Sequence, residues 1–498
     1  MSDNSILGID FGTRTSSAAV WRDGGTRMVS GWVGEGSVDS IVSHTDGGTI
    51  YVGGSPADVA ASFPDRTVGS AKCYLRDIGD DPLEFLRPQA FAAAVLRQLK
   101  GHTQEGLGGD VPGAVVAVPC QFDARQRQAV RDATEIAGFD HCRLIDETTA
   151  AAMSHHRGEW DDRTVFVFDL GAETLSTSVL ELGEGVYEVV ATDGDLELGG
   201  NRWDDAIVEW FTADVERERG VDLREDPSAY HRVQAAAETA KRTLSGETET
   251  TMAVDLSETA TLGTDRVERT LTRDHFEWLT EDLVGRALDP VERTFAEARY
   301  EPHDIDEVLV VGDATAMPQI RKAIARFVHV GPRVATASAE AVARGAAIMG
   351  GVRSGHVDDV VTLPVTAQSL GVEVEGGTFE TLIERNTSAP TDASKMFTTA
   401  DDDQTGVNVR VLQGESHIAA ENTHLDDFQL YGITQPPSGR PRIEVTVRID
   451  PDGIVDVEAE DLASGGTETV SVRGGAGLSE GEISSQRDRL AERVERVE

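Results

Sequence analysis

The segment "VFVFDLGAETLSTSVLEL", residues 165–182, decides the fold of this chain. Valines and phenylalanines lead into Asp169–Leu170–Gly171, a tight turn follows, and a second apolar run continues to residue 182. Apolar runs on both sides of a glycine-containing turn predict a β-hairpin with one carboxylate at its turn. Nearly the same phrase, "ILGIDFGTRTSSAAV", occupies residues 6–20. The sequence therefore predicts two acidic hairpins, with Asp10 and Asp169 in equivalent positions.

The composition is that of a folded, strongly acidic chain. It has 498 residues, of which 39% are hydrophobic, and a formal net charge of −43. Such a chain is too long for one hydrophobic core, and about two to four domains are expected. Regular apolar periodicity runs from end to end, which argues against the disorder that a large net charge alone would suggest.

The acidic excess is spread along the chain, against only five lysines and forty arginines. This pattern favours a protein adapted to a cytoplasm at molar salt, where self-repulsion is screened. The same charge argues against nucleic acid as a partner, because binding to phosphates requires the opposite sign.

The sequence also predicts where the protein resides. No apolar run approaches the roughly 18 residues that a membrane span needs, and the start "MSDNSILGID" lacks the basic region of a signal peptide. Cys73, Cys120 and Cys142 are isolated and odd in number, which is typical of a reducing compartment. We therefore expect a cytoplasmic protein without a membrane partner.

The pattern of predicted elements changes once along the chain. Residues 1–357 alternate strands with amphipathic helices, which predicts an α/β domain. Residues 365–474 contain short alternating strands separated by turns, which is typical of an all-β module. Residues 358–364, "DDVVTLP", form the linker between them, and residues 475–498 form a short charged helical tail. The strands predicted in the β module are "SLGVEV", "VNVRVLQG", "RIEVTVRID", "GIVDVEAED" and "TETVSV".

The two acidic hairpins indicate phosphate chemistry. Backbone N–H groups of a glycine-containing hairpin can cradle phosphate oxygens, and two hairpins facing across a cleft would hold a polyphosphate from both sides. Asp10 and Asp169 would then meet near a Mg²⁺ ion that bridges phosphates through its waters. The duplicated hairpin therefore predicts a two-lobed nucleotide clamp.

Longer phrases carry a resemblance to a known family. The phrases "ILGIDFGTRTSS", "VAVPCQFDARQRQAVRDATEIAGFDHCRLIDETTAAAM", "TDGDLELGG", "ETAKRTLSG" and "VLVVGDATAMP" are similar to the nucleotide-binding domain of the 70-kDa heat-shock chaperones of DnaK type. The phrases "MFTTADDDQTGVNVRVLQGE" and "RIEVTVRIDPDGIVDVEAED" resemble their peptide-binding domain. The resemblance runs in order from about residue 5 to 485. Sugar kinases and filament-forming actin relatives share the two hairpins but lack the β module.

The resemblance implies a fold and an activity. The expected fold is a two-lobed, actin-like α/β ATPase domain, then an all-β sandwich that binds peptides, then a short C-terminal helix. The expected function is an ATP-dependent chaperone that binds extended apolar segments of unfolded clients. ATP or ADP with Mg²⁺, and K⁺ as a further ion, are the implied cofactors. A J-domain co-chaperone and a GrpE-type exchange factor are the implied partners, and a monomer is expected. From the resemblance we expect the family's helical lid, roughly a hundred residues, to be missing beyond the first helix.

The resemblance also assigns catalytic residues. Asp10 and Asp169 match the carboxylates that organise Mg²⁺ and its waters. Lys72 matches the family's catalytic lysine beside the γ-phosphate, where it stabilises developing charge. Glu147 matches the carboxylate that positions the attacking water. Nucleotide-binding positions carried over from the family are Gly12, Thr13, Arg14, Thr15, Gly171, Ala172, Glu173, Thr174, Gly199, Gly200, Glu238, Lys241, Arg242, Ser245, Gly312 and Asp313.

Several positions depart from the family's pattern. Ala172 and Glu173 replace two glycines, Ser176 replaces an aspartate near the metal, and Arg14 stands where a small threonine is usual. Asp313 replaces a glycine and Ala316 an arginine that stacks on the base. Two placements of Glu173 are open: it turns outward, or it ligates the cation with Asp169. We favour the second, because one acid gained and one lost keeps the local charge constant. Hydrolysis is therefore expected to be slow, and a pseudo-ATPase that senses nucleotide without turnover is the alternative.

The β module keeps most of the family's peptide cradle. The positions that match it are Val372, Val374, Phe397, Ala400, Gln404, Val407, Val409 and Ile443. An added peptide strand would supply backbone hydrogen bonds, although each apolar position could equally belong to the core of a sandwich. Glu375 stands where the family has an apolar arch residue opposite Ala400, so the arch should be more open and more acidic. In the linker, Thr362 interrupts a leucine run and Pro364 ends it, which predicts weaker coupling between the domains.

The charge of the chain leads to a test of the high-salt interpretation. We expect the thermal melting temperature to rise strongly between dilute buffer and about 3 M KCl, because screening removes the self-repulsion of the acidic surface. Circular dichroism at a series of KCl concentrations measures it. A melting temperature that does not change over this range would show that the acidic excess is unrelated to salt.

Overall fold

The structure, a computed structural model, describes most of the chain. The described residues are 5–29, 37–44, 49–53, 67–68, 70–75, 87–156, 161–255, 266–329, 331, 333–334, 339–399, 404–433, 441–463, 465–471 and 477–496.

The N-terminal part alternates strands and helices as expected. Its strands are β1 (Ile6–Asp10), β2 (Thr15–Arg22), β3 (Gly25–Met28), β4 (Ser37–Asp39), β5 (Val42–His44), β6 (Ile50–Val52), β7 (Thr67–Val68), β8 (Gly113–Val118), β9 (His141–Asp146), β10 (Arg163–Leu170), β11 (Leu175–Gly183), β12 (Val186–Asp195), β13 (Glu249–Asp255), β14 (Arg266–Thr272), β15 (Glu307–Val311), β16 (Arg333–Val334) and β17 (Val361–Leu363). Its helices are α1 (Ala71–Tyr74), α2 (Pro88–Leu107), α3 (Ala124–Ile136), α4 (Glu147–His155), α5 (Gly200–Arg219), α6 (Pro227–Gly246), α7 (Arg273–Leu279), α8 (Glu281–Ala298), α9 (Pro318–Val328) and α10 (Ala341–Arg353).

Two sheets of this part share one strand order. The sheet of the first lobe runs β3-β2-β1-β8-β9, with β4 also paired to β2, and the sheet of the second lobe runs β12-β11-β10-β15-β16. In each sheet an antiparallel hairpin is followed by parallel strands on the far side of its first strand. The prediction of a two-lobed α/β domain with a duplicated hairpin is confirmed.

The hairpins place their aspartates in matching registers. Asp10 lies opposite Ser17 across β1 and β2, and Asp169 lies opposite Ser176 across β10 and β11. β10 is buried from Val165 to Leu170. A strand buried on both faces has a continuous apolar run instead of an alternating one, which is the pattern of "VFVFDL".

Helices α4 and α10 join the two lobes. Side chains of both helices pack in one core with strands of both sheets, including Val115 from β8 and Val167 from β10. The helices approach so closely that a Cβ atom on Gly345 of α10 would lie 1.8 Å from the carbonyl oxygen of Ala150 in α4. Only glycine fits at this crossing.

The β module is a sandwich of two four-stranded antiparallel sheets. Its strands are β18 (Leu370–Val374), β19 (Thr378–Ile383), β20 (Thr391–Phe397), β21 (Gly406–Gln413), β22 (Thr423–Tyr431), β23 (Ile443–Ile449), β24 (Val455–Asp461) and β25 (Gly466–Ser471). One sheet runs β19-β18-β21-β22 and the other β20-β23-β24-β25. The five predicted strands are confirmed as β18, β21, β23, β24 and β25. The other three strands were not predicted.

The sandwich packs against the first lobe through polar contacts. The Asp452 carboxylate accepts a hydrogen bond from the backbone N–H of Leu144 at 3.2 Å and pairs with Arg143 at 3.2 Å. The backbone N–H of Ala124 donates to Gln413 Oε1 at 3.0 Å. These contacts attach the turn between β23 and β24 to β9, and the end of β21 to the start of α3.

The sandwich also contacts the second lobe. Arg385 donates to the Asp193 carboxylate at 2.9 Å, and the backbone N–H of Thr192 donates to Asn386 Oδ1 at 3.0 Å. The linker strand β17 pairs in parallel with β12, so that Thr362 lies opposite Tyr187. The linker therefore extends the sheet of the second lobe despite its threonine.

The tail consists of α11 (Glu480–Arg493) and β26 (Val494–Arg496), which confirms the expected short C-terminal helix. Leu478, Ile483 and Leu490 are buried in the core of the first lobe, and β26 pairs in parallel with β6. Of the helices that the structure describes, none has the length and apolar content needed to cross a bilayer.

Candidate functional site

A cavity of about 470 Å³ lies between the lobes, where the turns of the two hairpins face each other. Cavities of a few hundred cubic ångströms are typical of small-molecule and cofactor sites. Its lining includes Asp10 from the first hairpin, Asp169 at the second, and Glu238 from α6. Residues from both lobes therefore converge on one space.

The turn after β15 closes one side of the cavity. Gly312 has a φ of 85°, in the left-handed region that favours glycine. A Cβ atom at this position would lie 2.2 Å from the carbonyl oxygen of Leu170. Gly312 thus allows this turn to lie directly against the end of β10, next to the second hairpin.

A buried ion pair lies at the floor of the cavity. Lys72 Nζ donates to Glu147 Oε1 at 2.6 Å, and both side chains are less than a tenth exposed. The ammonium also lies 6.0 Å from the centre of the Phe122 ring. Lys72 stands on the short helix α1, whose N-terminus is capped by the Ser70 side chain, and Glu147 is the first residue of α4.

The charges at the floor shift one another's pKa values. Desolvation by the surrounding protein, together with the Glu147 charge, raises the pKa of Asp10 from 3.8 to about 7, against the opposing effect of Lys72. Desolvation, Glu147 and Asp10 likewise raise the pKa of Asp169 well above its ordinary value. For Lys72, desolvation lowers the pKa, but Glu147, Asp10 and Asp169 outweigh it, so the pKa is raised.

The floor brings several carboxylates close to one ammonium. The charges of Glu147, Asp10 and Asp169 all act on Lys72, and that of Asp313 acts on both aspartates. A divalent cation would relieve their mutual repulsion, and hard oxygen ligands are those that Mg²⁺ prefers. The donor set therefore fits Mg²⁺ held by Asp10 and Asp169.

The opposite wall is one face of α6. Lys241 Nζ is buried and donates to the Asp204 carboxylate at 2.7 Å and to the carbonyl oxygen of Gly200 at 2.8 Å. Arg242 pairs with Glu238 at 2.8 Å. Burial lowers the pKa of Lys241 and raises that of Asp204, and their pairing opposes both shifts.

Most of the residues singled out from the sequence line this cavity. The four catalytic candidates do so, as do Gly12, Thr13, Arg14, Thr15, Gly171, Ala172, Thr174, Gly200, Glu238, Lys241, Arg242, Ser245, Gly312 and Asp313. Their individual roles remain predictions.

Glu173 and Gly199 lie elsewhere, beside a separate cavity of about 210 Å³. The Glu173 carboxylate accepts a hydrogen bond from the Cys73 thiol and a second from Asn201 Nδ2 at 3.4 Å. This placement favours the outward orientation of Glu173 over the one in which it ligates the cation with Asp169.

The second hairpin tolerates its substitutions without backbone strain. Ala172 and Glu173 are not among the residues with positive φ, so neither needs the backbone freedom of the glycine that it replaces. Ser176 is fully buried on β11 opposite Asp169. Only a hydroxyl therefore stands where the family has a second carboxylate.

Some residues of the site were not found from the sequence. Val311, Ala314, Met317, Ala339 and Val342 add apolar lining to the cavity. They are small or apolar residues without a motif, and only the "VLVVGDATAMP" turn gave a signal for the first three.

The structure separates the peptide-site candidates into two groups. Val372, Val409 and Ile443 are buried in the core of the sandwich. Val374, Phe397 and Val407 are half-buried and pack against that core. Gln404 precedes β21, Glu375 is exposed at the turn after β18, and Ala400 lies outside the described residues.

A second group of titratable side chains lies at the C-terminal end of α4. His155 Nε2 lies 3.1 Å and His156 Nε2 3.7 Å from the two carboxylate oxygens of Glu307. Arg163 Nη1 lies 3.5 Å from Glu307 Oε2 and from His156 Nδ1. Because the guanidinium already neutralises the buried carboxylate, we interpret this group as a structural ion-pair network.

The fold and the cavity define a class of protein. A two-lobed α/β domain, with two acidic hairpins across a cleft and a β-sandwich behind it, is an actin-like ATPase domain joined to a sandwich module. A family model described as Hsp70 protein matches residues 78–496. Two proteins named chaperone protein DnaK, from Halobacterium salinarum strains R1 and NRC-1, are each 45% identical over 494 residues. These matches cover 98% of this chain and 78% of each relative. The chain belongs to the Hsp70 family and is of the DnaK type.

The raised pKa of Asp10 predicts a pH-dependent effect on stability. Below about pH 4 the folded and unfolded chains both keep this proton, and above about pH 7 both lose it. Between these values the folded chain retains a proton that the unfolded chain releases, so stability is lost as the pH rises. The free-energy cost grows by on the order of 2 kcal/mol between about pH 5 and pH 7.5.

Asp10→Asn removes this cost, because an amide has no charge to bury. We expect the nucleotide-free variant to gain in melting temperature over the parent, and to gain more at pH 7.5 than at pH 5. Thermal melts at fixed KCl concentration measure the difference. An equal gain at both pH values would mean that the carboxylate ionises freely in the folded chain.

Proposed function

We propose that this chain is an ATP-dependent chaperone that binds extended apolar segments of unfolded proteins and hydrolyses ATP slowly. The observation that carries the proposal is the Lys72–Glu147 pair at the floor of the interlobe cavity, between the two hairpin turns. The relatives' names and the sandwich behind the ATPase fold support the chaperone activity.

Each residue at the cavity floor would have a distinct role in ATP hydrolysis. Asp10 and Asp169 would hold Mg²⁺ through its waters, and the ion would neutralise phosphate charge when bound. Lys72 would stabilise charge that develops on the transferred phosphoryl group. Glu147 would orient the attacking water and accept its proton.

Two features support slow turnover. In the nucleotide-free cleft the Lys72 ammonium and the Glu147 carboxylate neutralise each other, so each must leave the other before it can act on phosphate or water. Ser176 also leaves the second hairpin without the acid that the family places near the metal. Both features add to the barrier for hydrolysis and leave the nucleotide cavity intact.

The alternative is a pseudo-ATPase that binds nucleotide and clients without turnover. The substitution at Ser176 favours it, because one carboxylate fewer faces the metal. The presence of Lys72, Glu147, Asp10 and Asp169 at one cavity floor favours hydrolysis instead.

Client binding would use the half-buried apolar residues of the sandwich. Val374, Phe397 and Val407 contact the core and remain partly accessible. An extended peptide could insert a leucine-like side chain among them and pair its backbone with the sandwich. The exposed Glu375 would favour basic residues beside the apolar segment.

The proposal includes the setting in which the protein works. We infer a monomer in a high-salt cytoplasm, with ATP or ADP, Mg²⁺ and K⁺ as small-molecule ligands. A J-domain co-chaperone and a GrpE-type exchange factor are the proposed partners, on the ground of the family alone.

The first test concerns turnover. Lys72→Ala should lower kcat for ATP hydrolysis by about 100-fold, while the Kd for ATP changes by less than about threefold. Lys322→Ala removes the same charge from an exposed site outside the cavity and should leave kcat unchanged. Phosphate release in about 3 M KCl and binding of a fluorescent ATP analogue measure the two quantities.

A parent chain that binds ATP without measurable hydrolysis would exclude the slow ATPase. The double change Glu173→Gly and Ser176→Asp then separates two explanations, because it restores the family's residues at the second hairpin. Faster hydrolysis in the double variant would locate the defect there. No hydrolysis, with normal ATP binding, would establish the pseudo-ATPase.

The second test concerns clients. Val407→Phe should add bulk at a half-buried apolar position of the sandwich and weaken binding of an extended apolar peptide by about tenfold or more, with no change in ATP affinity. Asn408→Phe places the same ring on the exposed side of β21 and serves as the control. Fluorescence anisotropy of a labelled peptide measures both. Equal peptide affinity in the parent and both variants would rule out client binding at Val407.

A further inference from the structure

Arg14 crosses the cleft from the first lobe to the second. It lies in the turn between β1 and β2, and its guanidinium donates to Asn201 Oδ1 from Nε at 3.0 Å and from Nη2 at 2.5 Å. Nη2 also pairs with Asp204 at 2.9 Å, and Nη1 pairs with Glu238. One side chain of the first lobe thus contacts both α5 and α6 of the second.

A second contact crosses the cleft nearby. Cys73 on α1 donates its thiol hydrogen to the carboxylate of Glu173 in the second hairpin. Asn201 Nδ2 donates to the other oxygen of Glu173 at 3.4 Å. Asn201 therefore connects the two crossings, since its Oδ1 accepts from Arg14 and its Nδ2 donates to Glu173.

Partial burial strengthens the contacts of Arg14 with the second lobe. Asp204 is less than a tenth exposed and is held in place by Lys241, while the Arg14 side chain is about one third exposed, at 34%. Hydrogen bonds between charged groups are stronger when they are shielded from water, and a planar guanidinium can serve several oxygens at once. Threonine, the usual residue of the family here, is too short to reach α5 or α6.

Arg14 and Glu173, which both differ from the family's usual residues, carry opposite charges. Glu173 adds a negative charge beside the second hairpin, and Arg14 adds a positive charge beside the first. Both contact Asn201. The carboxylate that would repel phosphate is held away from the cavity by this network, and the guanidinium is held inside it.

We propose that Arg14 is an interlobe latch that holds the empty cleft closed and slows the passage of nucleotide in both directions. Opening the cleft moves the β1–β2 turn away from α5 and α6, so it must break the contacts with Asn201, Asp204 and Glu238 together. The part of the proposal that concerns nucleotide rests on the proposed function, whereas the closure of the empty cleft does not. Glu238 serves both states, as the partner of Arg14 in the empty cleft and as one of the predicted nucleotide-binding residues.

Hydrogen exchange tests the latch in the nucleotide-free chain. In Arg14→Thr we expect backbone amides of the β1–β2 turn and of the first turn of α5 to exchange about tenfold faster or more than in the parent, because each charged hydrogen bond lost corresponds to about a tenfold change in an equilibrium constant. Arg202→Thr is the matched control, since the Arg202 side chain bonds Glu197 and Asp205, both within the second lobe. Equal exchange in Arg14→Thr and the parent would overturn the latch.

Release of a fluorescent ADP analogue, chased with excess ATP, tests the consequence for nucleotide. We expect the release rate from Arg14→Thr to be about tenfold or more above that of the parent. The release rate from Arg14→Lys should lie between those of Arg14→Thr and the parent. Faster amide exchange with unchanged release would disprove control of nucleotide passage. If no protein binds ADP while Arg14→Thr still exchanges faster, the latch holds and the proposed nucleotide function fails.

Discussion

The close crossing of α4 and α10 is the constraint on which the rest of the site depends. The absence of a side chain at Gly345 lets the two helices touch at Ala150, and both sheets pack against this pair. The two hairpins project from the sheets toward the same space because their sheets share that support. Glu147 is the first residue of α4. The crossing that joins the lobes therefore also fixes the position of the Glu147 side chain at the cavity floor. A larger residue at 345 would therefore alter the fold and the cavity floor together.

The substitutions that separate this chain from its family are connected in space. Arg14 and Glu173 lie on opposite lobes, and Asn201 bonds both. Taken alone, the second hairpin would place the Glu173 charge in conflict with phosphate, whereas in the folded chain the Glu173 side chain turns toward Cys73, beside a separate cavity. The loss of an acid at Ser176 is then uncompensated at the second hairpin, and Asp10 and Asp169 are the hairpin carboxylates that line the cavity. The positive charge of Arg14 on one lobe thus offsets the negative charge of Glu173 on the other, across the cleft and not within one turn.

The sequence predicted what depends on local pattern. The two hairpins and five sandwich strands follow from alternation and turn residues, whereas the candidate residues on α6 came from the family resemblance. β22 was missed because its pairing with β21 shifts between Val411 and Leu412, which turns Leu425 and Phe428 inward without a two-residue period. β20 was missed because it is polar and largely exposed. The Arg14–Asn201 contact joins residues 187 positions apart, and no local pattern encodes such a pair.

In the linker, the backbone and the side chains contribute differently to its attachment to the second lobe. A strand added to a sheet is held by backbone N–H and carbonyl groups, so Thr362 pairs with β12 as a leucine would. What threonine loses is apolar packing, and Pro364 ends the pairing because it has no N–H to donate. The docked sandwich is held instead by polar contacts, at Asp452 on the first lobe and at Arg385 on the second. Burial raises the pKa of Asp452 even with Arg143 beside it, so this contact stabilises docking less than its geometry suggests. In this structure the docked sandwich is therefore held by ion pairs with both lobes and by the backbone pairing of the linker.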